Sequence, residues 1–251
     1  MGTQRDATMI LKDHRSIRIK NGEVTEIDDI IVVEDQFQIF FNDHPVTDIV
    51  ASRDQLHELG AGFVITEGLT RCVDKVKIDG NRILVYADLG CDVSRSKKEL
   101  GTSGGTSIQK EPLTVSSDIK ITPEEVILWT REIETEVWRK SGAVHCSVLF
   151  CDGKCIVKSS DVGRHNTVDK VVGYAILNNI DLSRCVIGCT GRQPAGMVKK
   201  YANAGIPVVI SRAASTDKGI ATAESAGITL VCFSRGERFT IYTHPDRILV
   251  S

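Results

Sequence analysis

The densest chemistry in the chain lies at Asp161-Val162-Gly163-Arg164-His165-Asn166-Thr167-Val168-Asp169-Lys170. Polar groups there run straight into an apolar helical spacing at Val168, Val171, Val172, Ala175 and Ile176. A polar loop feeding a helix N-terminus offers unpaired backbone N–H groups and the positive end of the helix dipole, and both attract anions. Arg164 and His165 fall just ahead of the predicted helix and can hold a phosphate or another negative group. The alternative is a plain helix start, with Asn166 as N-cap, Asp169 as the acid at N3 and their neighbours solvated.

Three more polar clusters follow apolar, strand-like runs: Thr190-Gly191-Arg192-Gln193, Ser211 to Asp217, and Ser234-Arg235-Gly236-Glu237-Arg238. In an open α/β sheet, ligands bind beyond the C-terminal ends of the strands. That rule brings Arg164, Arg192, Arg212, Arg235 and Arg238 to one rim, with Gly163, Gly191 and Gly236 beside them. Guanidinium groups beside free backbone N–H groups make a phosphate-binding edge. The competing reading is ordinary salt bridging at a surface. Known signatures are absent. There is no G-x-x-x-x-G-K-[ST], and Gly101–Thr106 is not G-x-G-x-x-G. The zinc deaminase pair H-x-E and P-C-x-x-C is missing; Gln193-Pro194-Ala195-Gly196-Met197 occupies the analogous corner without a thiolate. No nucleophile elbow is present. The residues alone reach an α/β protein that grips a phosphorylated ligand, with no metal site expected.

The elements that must position these groups fall in two parts. Ile30–Val33 and Phe37–Phe41 read as strands. Arg53 to Ile65 has helical spacing, with Ser52 as its N-cap. Gly60, Gly62 and Gly68 either loosen that helix or admit another backbone. Val73–Ile78 and Ile83–Ala87 form a hairpin across Asp79-Gly80-Asn81. Residues 90–121 break the pattern and read as a mobile loop, which sets the boundary between an N-terminal β-rich α+β domain (1–120) and a C-terminal α/β domain (121–251). Thr122-Pro123-Glu124-Glu125 opens a helix running to about Lys140. Strands at Val144–Phe150, Ile156–Lys158, Cys185–Thr190, Ile206–Ser211, Ile228–Phe233 and Phe239–Thr243 then alternate with helices at Val168–Leu177, Pro194–Ala204 and Thr216–Ala226. Such alternation predicts a largely parallel sheet covered on both faces.

The 251 residues, 41% hydrophobic, are enough to bury a core. A net charge of -2 gives no nucleic-acid footprint, and no apolar run approaches the roughly 20 residues of a membrane span. Met1 to Asp6 lacks a secretory pattern, so a soluble cytoplasmic protein is expected. The eight cysteines (72, 91, 146, 151, 155, 185, 189 and 232) sit mostly in apolar runs and read as small core residues. Asp152-Gly153 between Cys151 and Cys155 reads as a hairpin turn, not a metal spacing.

The run D-V-G-R-H-N-x-V-D-K at 161–170, T-G-R at 190–192, F-S-R-G at 233–236, Y-T-x-P-x-R-I at 242–248 and L-G-A-G-F-x-x-T-E-G at 59–68 together resemble the FdhD family, over about residues 40 to 250. The resemblance implies a C-terminal cytidine deaminase-like three-layer sandwich without zinc, and a cytoplasmic homodimer. It implies a sulfur carrier that takes a persulfide from a cysteine desulfurase and passes it to the bis-molybdopterin guanine dinucleotide molybdenum cofactor, which activates formate dehydrogenase. The family's cofactor-binding stretch falls on Phe233, Ser234, Arg235, Gly236, Glu237 and Arg238, joined on the rim by Gly163, Arg164, His165, Asn166, Gly191 and Arg192. GDP is the analogue of half that cofactor. One departure stands out. The loop carrying the family's persulfide cysteine maps onto Ser103, Gly104, Gly105 and Thr106, which offer no sulfur. Three readings follow. Another cysteine carries the sulfur, with Cys91, the nearest in sequence to the loop, as the candidate; the protein holds and delivers the cofactor without sulfur transfer; or the loop is altered in this chain.

Overall fold

The structure, a computed structural model, describes residues 10–88, 98–100, 106–108 and 113–250, the two short stretches by backbone alone. Two sheets dominate. The smaller has the order β4-β3-β6-β5, built from β3 (Asp35–Phe41), β4 (His44–Ala51), β5 (Lys75–Asp79) and β6 (Arg82–Tyr86). Its alternating burial follows its sequence, since Phe37, Ile39 and Phe41 point inward and the intervening residues do not. Helix α1 (Leu56–Thr66) lies under it.

The larger sheet has six strands. They are β9 (His145–Cys151), β10 (Lys154–Asp161), β11 (Cys185–Cys189), β12 (Val208–Ser211), β13 (Thr229–Arg235) and β14 (Arg238–Thr243), in the order β10-β9-β11-β12-β13-β14. One face packs on α4 (Arg164–Leu177), α5 (Ala195–Ala204) and α6 (Asp217–Ala226), through residues such as Val171, Met197 and Ala223 against Leu149, Ile187 and Leu230. The other packs on α2 (Pro123–Glu132) and α3 (Glu136–Ser141), where Trp129 stacks on Phe150 with ring centroids 5.1 Å apart.

The sheet departs from the largely parallel expectation. Only the β11–β12 and β12–β13 pairs are parallel. β9 runs antiparallel to both neighbours and β14 antiparallel to β13. Tight turns impose this. Asp152 and Gly153 both adopt positive φ, as a two-residue hairpin requires, so β10 must return beside β9.

The helix expected from Thr122 to Lys140 is two helices. Thr122 and Glu125 form the anticipated capping box. Thr135 then takes extended backbone, and its hydroxyl accepts the Trp138 N–H at 3.2 Å while bonding Ser160 at 2.6 Å. That side chain restarts the helix and ties it to β10. Ser52 is not the cap of α1. The helix begins after Gln55, and the Ser52 N–H donates to Asp161 at 3.0 Å. The strand expected at Ile30–Val33 is the end of a longer ribbon, β1 (Leu11–Lys20) paired with β2 (Glu23–Val32), whose faces are largely solvated. Within the stretch expected to be a loop, β7 (Lys98–Leu100) pairs with β8 (Thr106–Ile108). Residues 113–121 are held down: the Val115 N–H donates to Ala226 O at 2.8 Å, and Ile121 bridges Ile248. The rest of that stretch lies outside the described residues.

Helices α1 and α4 cross at backbone contact. A Cβ on Gly62 would stand 1.7 Å from the Asp169 carbonyl oxygen, and one on Gly173 would stand 1.8 Å from that of Glu58. Of the two roles read for Gly60, Gly62 and Gly68, Gly62 shows close approach of another backbone, whereas Gly60 faces the Ile83 side chain and Gly68 lies past the helix end with positive φ. Beside this crossing, Lys200 of α5 reaches Glu67 at 2.8 Å, Asp169 at 2.8 Å and Thr66 at 3.0 Å, all buried.

Candidate functional site

Because β10, β11, β12 and β13 all point the same way, their C-terminal ends lie on one edge of the sheet. The N-terminal end of antiparallel β9 joins them there. Together these ends frame a concavity of about 500 Å³, lined by Trp138, Val144, His145, Val162, Thr190, Arg212 and Arg235 among others.

Arg212 follows β12 and pairs with Glu134, with its guanidinium carbon 5.9 Å from the centre of the Trp138 ring. Partial burial, then the Arg235 charge, lower its pKa. Arg235 is oriented by its Nε, which donates to the Arg212 carbonyl at 2.7 Å. A second cationic pair, Arg164 and Arg192, follows β10 and β11 on the same edge. Burial lowers the pKa of Arg164, and the Arg192 charge adds to the effect. Gly191 lets the Arg164 stem run close, since a Cβ there would be 3.1 Å from its Cδ. An anion at this edge would relieve repulsion within both pairs.

The two histidines are neutral at ordinary pH. Burial lowers the pKa of His145, and the Arg164 charge reinforces it. Thr190 Oγ1 accepts the Cys146 N–H at 3.0 Å and shares a hydrogen bond with His145 Nδ1 at 3.2 Å. Burial first, then the charges of Lys200 and Arg164, push His165 down to about 3.

The Asp161–Lys170 run has a different local logic from the one expected. Helix α4 begins at Arg164, so Arg164 and His165 are its first two residues, and Gly163 is the N-cap without a side-chain bond. Asn166 does not cap. Its amide donates to Asp161 and to the Val50 carbonyl, both at 2.8 Å. Asp169 is not a solvated N3 acid; it is buried against Lys200. Asp161 is the hub. It accepts the Gly163 N–H at 2.8 Å and pairs with buried Lys170 at 2.7 Å. A loop of polar residues can be buried this way because nearly every group is matched.

The other rim residues are also distributed unevenly. Of Phe233 to Arg238, Arg235 faces the concavity. Ser234 turns inward to the Thr130 hydroxyl, Phe233 holds positive φ, and Glu237 pairs with Arg131 at the surface. Gly236 makes the turn, and Arg238 lies across the hairpin from Arg235. Sequence reasoning missed Trp138, Glu134 and His145. No local signal marks them: His145 reaches the rim through the antiparallel placing of β9, and Glu134 and Trp138 come from the helical layer on the far face. Ser103, Gly104, Gly105 and Cys91 lie outside the described residues, and Thr106 begins β8. Of the described cysteines, Cys146 and Cys189 lie nearest this edge, and both are buried. Among the described residues, no group of three or more His, Cys, Asp or Glu side chains is placed to hold a metal ion.

The model of the FdhD/NarQ family matches residues 32–249. The chain belongs to the FdhD/NarQ family. Protein FdhD of Methanocaldococcus jannaschii is 34% identical over 233 residues, covering 91% of this chain and 96% of that protein. The sulfur carrier protein FdhD of Bacillus subtilis is 29% identical, covering 92% and 95%. A crystal structure of a protein assigned as a formate dehydrogenase accessory protein, from Desulfotalea psychrophila, is similar with a TM-score of 0.81 and 30% identity, over 96% of this chain and all of that one. The FdhD/NarQ match spans both sheets and every rim loop discussed above. No described helix is long and apolar enough to cross a membrane.

Proposed function

We propose that the chain is a sulfur carrier serving a formate dehydrogenase, acting in the cytoplasm as a homodimer. It takes sulfur as a persulfide from a cysteine desulfurase and hands it to the bis-molybdopterin guanine dinucleotide molybdenum cofactor. In the first step an acceptor thiolate attacks the outer sulfur of the donor persulfide. An S–S bond breaks, a new one forms, and the donor leaves as a thiolate. The observation that carries the reading is the concavity where Arg212 and Arg235 meet, flanked by the crowded Arg164 and Arg192. Two pyrophosphates supply the negative charge such a cluster accepts. Trp138 offers an aromatic surface for a guanine or pterin ring. A cytidine deaminase-like C-terminal half belongs to the same proposal, supported by the six-stranded sheet between its two helical layers.

GDP, which carries the guanosine and pyrophosphate of half the cofactor, tests the site. It should raise the melting temperature by mass action, and Arg212→Ala with Arg235→Ala should abolish the rise. No rise in the unaltered protein would leave the arginines a structural role. A second reading, delivery of the cofactor without sulfur transfer, is favoured by the loop at Ser103–Thr106, which holds no cysteine. Incubation with a cysteine desulfurase and cysteine separates the two. Added sulfur on any cysteine, read by mass spectrometry, supports the carrier; none at all supports delivery alone.

A further inference from the structure

We propose that Cys151 and Cys185 form a dithiol that closes to a disulfide by exchange with a low-molecular-weight disulfide. The two residues stand directly opposite each other in the antiparallel β9–β11 pair. Both join the apolar cluster beneath α4 and α5, as do Leu149 and Ile187 two positions along each strand, so both side chains leave the sheet by the same face. Opposed residues of an antiparallel pair have Cα atoms about 4.5–5.5 Å apart. That separation lies within the roughly 4.4–6.8 Å a disulfide spans.

Neither of the cysteines nearest on these strands is placed to compete. Cys155 opposes Phe150, whose ring stacks on Trp129 in the cluster on the far side of the sheet. Its side chain therefore leaves by the other face. Cys189 lies four residues further along β11, about 13 Å away, and receives a hydrogen bond from Gln193. The pair is also remote from the concavity. Cys151 is at the opposite end of β9 from His145, about 20 Å along the strand. Its oxidation takes no part in sulfur delivery at the rim.

Burial sets the order of events. Cys151 is half-buried and Cys185 fully buried. The Cys151 thiolate attacks one sulfur of the small disulfide, whose S–S bond breaks and releases one thiolate. Cys185 then loses its proton to that thiolate and attacks the Cys151 sulfur, expelling the second. Two protein thiols are oxidised, and the small disulfide is reduced to two thiols. Burial holds the Cys185 thiol well above its usual pKa, and its hydrogen bond with Cys151 adds to this. The closing step therefore quickens as pH rises.

The test is to incubate the reduced full chain with oxidised glutathione, alkylate free thiols and map peptides without reduction. The expected product joins Cys151 to Cys185, and the oxidised protein melts higher than the reduced one. Cys185→Ser should stop at a glutathione adduct on Cys151 with no gain in melting temperature. Cys151→Ser, at a half-buried position, should leave Cys185 unmodified. A glutathione adduct persisting on Cys151 in the unaltered chain would overturn the proposal, as would a link from Cys151 to Cys155.

Discussion

In the proposed binding of a polyanion at the rim, Arg212 is the residue most open to test, and it is already engaged. Glu134 holds its guanidinium at the mouth of the concavity. In the proposed site an incoming phosphate competes with that carboxylate for the guanidinium. Glu134→Gln should therefore tighten GDP binding, and Arg212→Ala should weaken it. A hydrogen bond to a charged group contributes about 1.5–3 kcal/mol, so each change should reach roughly tenfold or more in calorimetric affinity. Equal affinity of Glu134→Gln and the unaltered protein would place the anion elsewhere. His165 makes a different prediction. Its folded pKa of about 3 lies below the unfolded value of 6.5. Between those values the unfolded chain binds a proton that the folded chain refuses, so stability falls as pH drops through that window. The loss is of the order of a few kcal/mol. Urea midpoints of His165→Gln, taken from pH 7 to pH 4, should fall less steeply than those of the unaltered protein. Parallel curves would mean that another group governs the acid limb.

At the scale of elements, the α1–α4 crossing is the least tolerant contact described. Neither Gly62 nor Gly173 can take a methyl group without parting two backbones. Gly62→Ala should cost at least about 1–3 kcal/mol, the usual range for overpacking, and denaturant titration reads this directly. A loss below about 0.5 kcal/mol would show that the helices slide freely. The same elements show what could be read from the chain. The strand runs and the hairpin at Asp152-Gly153 were legible because alternation and turn chemistry are local. That the ends of β10 to β13 share an edge was legible because a polar, arginine-bearing cluster follows each strand run. The break at Thr135 was not, since a threonine within a helical spacing reveals its capping role only when Ser160 stands beside it. Nor was the β1–β2 ribbon, whose charged, solvated faces lack the alternation that marks a half-buried strand. Glu134, Trp138 and His145 stayed hidden for a topological reason: His145 comes to the rim only because β9 runs antiparallel to its neighbours, and the other two come from the helical layer on the far face.

For the whole molecule, two buried clusters of charge join the halves. Lys200 binds Glu67 and Asp169 on one side, and Lys170 binds Asp54 and Asp161 on the other. Burial raises the Asp169 pKa, and Lys200 opposes that rise. Lys200→Met keeps the apolar stem and deletes the charge. It should cost about 3–5 kcal/mol, as expected when one partner of a buried pair is removed. The loss should be smaller at pH 5 than at pH 8, because Asp169 can then fold protonated. A loss independent of pH would mean that packing, not charge, is what Lys200 provides.

The Asp161 hub carries an evolutionary corollary. Its carboxylate and its companion Asn166 are saturated by main-chain groups of Val50 and Ser52, more than a hundred positions upstream. Genetic exchange that replaced the downstream portion of the gene alone would leave the buried Ser52 N–H without its acceptor. Lineages of this protein should therefore have inherited both portions together, and hybrids of distant parents should recover only when the 50–54 turn travels with the 161–170 run.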